Sequence, residues 1–176
     1  MLTDSNRAIG RPEKDDMSES YTLMPELSSS QSAPFIELQQ LLPSQVEVIS
    51  PFVEPFMRFL NRLIEKSAGV DEDDFYIETP LREALANAII HGNHENPHQR
   101  VYVTCRYGTD GEISITVRDE GVGFDTCAVP DPTDLNNRLL DHGRGIYVMR
   151  ALMDDVWFDE GGRVVHMRKR LQKRSR

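Results

Sequence analysis

The chain has 176 residues, 39% of them hydrophobic, enough for one compact domain and some unstructured sequence. A formal charge of −9 argues against direct nucleic-acid binding. No run approaches the roughly 18 apolar residues of a membrane span, and the start lacks the pattern of a secretory leader, so a cytoplasmic protein with no membrane contact is expected.

Residues 1–34 are polar, rich in Ser, Asp and Glu, and without periodicity, which predicts a disordered extension. Phe35 to Leu42, ended by Pro43, reads as a first strand. Ser50-Pro51 reads as an N-cap and first turn, and Phe52, Phe56, Phe59, Leu60 and Leu63 then recur at helical spacing until Gly69. Asp71 to Asp74 make an acidic entry to a second helix that Thr79-Pro80 interrupts or restarts and Gly92 ends. Val101, Val103, Cys105 and Tyr107 alternate with polar residues, and after Thr109-Asp110-Gly111 the alternation resumes at Ile113, Ile115 and Val117, a hairpin.

Asp119-Glu120-Gly121-Val122-Gly123-Phe124-Asp125 follows, then Thr126 to His142, long for a plain connection and suited to a mobile lid. Gly143-Arg144-Gly145 opens a third helix with Ile146, Met149, Leu152 and Met153. Val156-Trp157-Phe158, a Gly161-Gly162 turn and a last strand from Arg163 to Leu171 complete a domain at 35–171, with a basic tail at 172–176. This order predicts an α+β two-layer sandwich. The basic end, with Arg163, Arg168, Lys169, Arg170, Lys173, Arg174 and Arg176, reads as a solvated edge strand and tail, or as a docking patch for an acidic partner. Cys105 and Cys127 have no zinc spacing and are expected to be inert thiols.

Within the second helix, Glu83, Asn87 and His91 recur at four-residue steps and form one polar stripe, opposite Leu81, Leu85, Ala88 and Ile89. An amide oxygen can coordinate Mg²⁺ without adding charge beside phosphates, and a carboxylate one turn earlier can deprotonate a hydroxyl. Many helices carry such a face only because it is wet, so the stripe takes its meaning from the two glycine segments. Asp119 at a strand end can accept a hydrogen bond from an exocyclic amine, while Gly121 and Gly123 let backbone approach a ligand, or the segment is a capped turn. Gly143 and Gly145 precede a helix N-terminus that could hold phosphate, or they simply end a loop. Arg144 reads as a phosphate contact or a solvated side chain, and His91 as a lid or phosphate contact or a helix cap. A P-loop, a dinucleotide GxGxxG unit and the protein-kinase motifs are all absent from the sequence.

From Phe35 to Leu171 the sequence resembles the GHKL ATPase superfamily, specifically the bacterial anti-sigma factor serine/threonine kinases. Glu83 to Asn93 matches the N box, Asp119 to Phe124 the first glycine box, and His142 to Ile146 the second. The resemblance implies a Bergerat-type fold, with a mixed, mostly antiparallel sheet covered on one face by helices. It also implies ATP and Mg²⁺ as cofactors, Glu83 as general base, Asn87 as Mg²⁺ ligand and Asp119 as adenine contact. Gly121, Gly123, Gly143 and Gly145 would form the lid and phosphate loops. A sigma factor and an anti-anti-sigma antagonist are the implied partners, and a homodimer the implied assembly. Two rivals remain: a catalytically silent ATP/ADP-sensing module that binds a partner, and the ATP-binding half of a split histidine kinase.

Overall fold

The computed structural model describes residues 26–28, 34–67, 76–124 and 144–171. Strands β1 (Glu26–Ser28) and β2 (Phe35–Pro43) precede helices α1 (Ile49–Ser67) and α2 (Glu78–Ala86), and α2 widens into a π turn over Asn87–Gly92. Strands β3 (Arg100–Gly108) and β4 (Glu112–Arg118), helix α3 (Arg144–Leu152) and strands β5 (Asp155–Asp159) and β6 (Val164–Arg170) follow. The strands form one sheet in the order β1-β2-β3-β4-β6-β5, and every pairing is antiparallel. The sandwich holds, and the parallel component allowed for is not found among the described strands.

Period-two alternation sets the sheet's inner face. Val101, Val103, Cys105 and Tyr107 on β3 and Ile113, Ile115 and Val117 on β4 are buried, and they meet in register as Val103↔Val117, Cys105↔Ile115 and Tyr107↔Ile113. A one-residue slip would turn all of them to water. Phe52, Phe56 and Leu60 from α1, Leu81, Leu85 and Ile89 from α2, and Ile146 and Met149 from α3 join them in one core. Each such side chain contributes about 1.5–3 kcal/mol on burial, which anchors the helix faces that carry the polar stripe. Burial pushes the Cys105 thiol up to about 12, which keeps it un-ionised and unreactive.

Three expectations change. Within the stretch read as disordered, Glu26–Ser28 pairs with β2 through Glu26↔Glu37 and Ser28↔Phe35. Ser50 is not a cap: α1 starts at Ile49 after a 3₁₀ turn at Val46–Val48, and Ser50 Oγ accepts Arg82 Nη1 at 3.0 Å, tying α1 to α2. The last strand is not an edge either. The β5–β6 hairpin folds β5 to the outside, so β6 lies between β4 and β5, and Asp71 to Asp74, Cys127 and the lid reading at 126–142 fall outside the described residues.

Candidate functional site

Glu83 and Asn87, both half-buried, lie where α2 passes the first turn of α3. A Cβ built at Gly145 would stand 2.6 Å from Glu83 Oε2 and 3.4 Å from Asn87 Nδ2, so the bare glycine backbone allows this approach. The first-turn N–H groups of a helix have no intrahelical partner, and the positive end of its dipole favours anions. A carboxylate, an amide and a helix N-terminus thus share one corner of the molecule.

Asp119 closes the other end, just beyond β4. It is 6% exposed, and burial raises its carboxyl above the usual range, opposed by the Gly121 N–H and by the charge of Arg163. Its Oδ1 accepts the Gly121 N–H at 2.8 Å, and its own N–H donates to the Arg163 carbonyl at 3.0 Å. A Cβ at Gly92, the last residue of the π turn, would lie 2.5 Å from Asp119 Cγ, and one at Gly121 would collide with the Gly92 carbonyl. The segment carrying Asn87 and the loop carrying Asp119 therefore meet glycine to glycine.

The π turn decides this meeting. Asn93 N–H reaches the Ala88 carbonyl at 2.8 Å, five residues back, so the helix turns more widely here than the α spacing of the stripe assumes. Glu83 and Asn87 still face α3, whereas His91 is exposed near the end of the widened turn. Arg144 is exposed at the start of α3, and Gly143 lies outside the described residues. Gly123 has a φ of 77° and packs against the Gly161 carbonyl, which also accepts the Phe124 N–H at 2.8 Å. Phe124 meets Phe158 edge-on at 5.5 Å, so the β5–β6 turn holds the first glycine segment in place.

Sequence reasoning missed three contributors: Gly92, Asn93 and Gly161. Gly92 and Asn93 lie within the N-box segment Glu83 to Asn93, yet only the fold brings them to Asp119 and Glu120. Among the described residues, no group of three or more His, Cys, Asp or Glu could hold a metal by itself. Mg²⁺ in nucleotide sites takes most of its ligands from phosphates and water, and one or two protein oxygens suffice. The Asn87 amide offers one such oxygen, beside the Glu83 carboxylate.

Against known proteins, the family described as histidine kinase-like ATPase domain matches residues 52–169. The chain belongs to that family. Such an ATPase domain implies an ATP site, and the match spans Glu83, Asn87, Asp119 and Gly145. Among curated relatives, the anti-sigma F factor of Oceanobacillus iheyensis is 40% identical over 102 residues, covering 55% of this chain and 69% of the relative. Those of Heyndrickxia coagulans and Bacillus subtilis are 39% and 36% identical over 99 and 102 residues, covering 53% and 55% of this chain and 67% and 69% of theirs. These relatives support the anti-sigma branch of the GHKL superfamily. No described helix is long and apolar enough to cross a membrane.

Proposed function

We propose that this protein is an ATP-dependent serine/threonine kinase and anti-sigma regulator that binds a sigma factor and phosphorylates an anti-anti-sigma antagonist. The observation that supports it most is the placing of Glu83 and Asn87 together against the first turn of α3, with the buried Asp119 across the π turn. The likeness to anti-sigma F factors supports the regulatory half of the reading.

In this reading the Asp119 carboxylate accepts the exocyclic amine of adenine, which orients the nucleotide. The first-turn N–H groups of α3 receive phosphate oxygens, and Asn87 offers its amide oxygen to Mg²⁺. Held by Asn87, Mg²⁺ would supply positive charge that offsets the negative charge of the phosphates. Glu83 takes the proton of the incoming serine hydroxyl as that oxygen bonds to the γ-phosphorus. The bond to the β-phosphate oxygen breaks, and ADP leaves with its electron pair. The assembly is a homodimer in the cytoplasm.

Glu83→Gln keeps shape and hydrogen bonding but removes the base. The variant should bind MgATP and partner as before, while transfer of radiolabelled phosphate to the cognate antagonist falls roughly 10²–10⁴-fold. Full transfer by the variant would reassign the base. No transfer by the unaltered protein, with ATP bound, would favour the nucleotide-sensing module.

A further inference from the structure

Glu120, the residue after Asp119, is exposed, yet each of its polar positions is bonded. Its N–H donates to Asn93 Oδ1 at 2.9 Å, and its carbonyl accepts Gln99 Nε2 at 2.7 Å. Its carboxylate accepts the Arg100 N–H at 2.8 Å through Oε2 and the Tyr102 hydroxyl at 2.8 Å through Oε1. Two partners, Asn93 and Gln99, come from the loop after the π turn, and two, Arg100 and Tyr102, from the start of β3. A surface carboxylate with no task has little reason to be fixed on every side, because water would satisfy it equally well and ordering a Glu side chain costs entropy.

Asn93 is the hub of this arrangement. It is 1% exposed, and its amide is used at both ends: Oδ1 takes the Glu120 N–H and Nδ2 donates to the Arg100 carbonyl at 3.0 Å. It directly follows Gly92, whose Cα side lies against the Asp119 carboxylate. On the far flank, the Asp119 N–H is held by the Arg163 carbonyl. The peptide groups on both sides of Asp119 are therefore clamped, which sets where its side chain starts, and the Gly121 N–H and the Gly92 Cα side bound the carboxylate itself.

We propose that Asn93 and Glu120 are positioning residues that make Asp119 selective for adenine over guanine. The inference rests on Asp119 being the adenine contact. Adenine offers an amine donor where guanine carries a carbonyl, and a carboxylate opposite that carbonyl is repelled. Discrimination of this kind needs a carboxylate that cannot turn away, since a loosened one would give up the amine and avoid the carbonyl at once. The Asn93–Glu120 clamp removes that freedom.

The test is the ratio of ATP to GTP affinity, measured by calorimetry on the full chain, for Asn93→Ala, Tyr102→Phe and, as a benchmark, Asp119→Asn. Asn93→Ala should lower the ratio about tenfold, the worth of one hydrogen bond. Tyr102→Phe, which deletes only the hydroxyl on the exposed Glu120 carboxylate, should lower it in the same direction by less. If Asn93→Ala weakens both nucleotides equally, or Asp119→Asn changes the ratio while neither clamp variant does, the positioning role is overturned and the adenine reading survives. If Asp119→Asn itself leaves the ratio unchanged, the adenine reading fails and this inference falls with it. Should Asn93→Ala not fold, an unchanged ratio in Tyr102→Phe is sufficient to overturn the proposal.

Discussion

Gly92, at the end of the π turn, and Asp119, just beyond β4 and 27 positions later in the chain, are in contact: the Gly92 Cα side faces the Asp119 carboxylate, with room for hydrogen only. Gly92→Ala puts a methyl 2.5 Å from Asp119 Cγ, and the Asp119 carboxylate must shift to admit it. Overpacking of this kind costs about 1–3 kcal/mol. Thermal unfolding should show the loss, and ATP affinity should fall with it because the displaced group is the proposed adenine contact. A variant with lower Tm and unaltered ATP affinity would separate Asp119 from the nucleotide.

Asn87→Ala should weaken MgATP binding roughly 10–100-fold, the cost seen even for residues that only support a metal ligand, and leave metal-free ATP binding little changed. Calorimetry with and without Mg²⁺ reads the difference. Equal losses in both conditions would make Asn87 a packing residue beside Gly145.

The raised carboxyl of Asp119 carries a sign that can be checked. Its folded value lies above the unfolded one, so its contribution to folding is full below the unfolded value and is lost as pH rises through the folded value. At neutral pH the buried charge therefore destabilises the ligand-free protein, and Asp119→Asn should raise its Tm there while weakening ATP binding. Acidification should erode nucleobase binding at a higher pH than an exposed aspartate would. Adenosine, which has no titrating phosphate, is the ligand to use, and Asp119→Asn should flatten the profile.

Three cations of the last strand are paired within the domain: Arg168 with Asp155, Lys169 with Asp154 at 3.1 Å and Arg170 with Glu112 at 2.9 Å. Exposed pairs are worth only about 0–1 kcal/mol each, but they neutralise the strand's charge toward a partner. Leu171, 3% exposed, donates its N–H to the Gly111 carbonyl. Truncation after Met167 should lower Tm sharply, whereas removal of 172–176 should leave it unchanged. If the shorter truncation slows partner association at low salt and the effect fades as salt is raised, the tail steers an acidic partner; an unchanged rate makes it a solvated end.

Much of this was legible in the chain because it is local. The alternation through β3 and β4 needs only neighbouring residues, and the apolar faces of α1 and α2 follow from helical spacing. The succession Glu83, Asn87, Asp119, Gly121, Gly123 and Gly145 was likewise visible from residue type and interval, and it carried the family likeness before any coordinate did.

What the sequence by itself determined was which side chains could do the chemistry and which segments would be helix or strand. The tertiary structure decided how those segments meet. In the π turn at Asn87–Gly92, Ala88 and Ile89 stay buried while Gly92 reaches Asp119, an arrangement the α spacing of the sequence does not show. The inner position of β6 depends on which side of its partner β5 folds, a choice that no periodicity records. The Asn93–Glu120 clamp and the contact of Gly145 with Glu83 join residues dozens of positions apart. Contacts of that range arise only when the whole core packs, because no short window of sequence contains both partners.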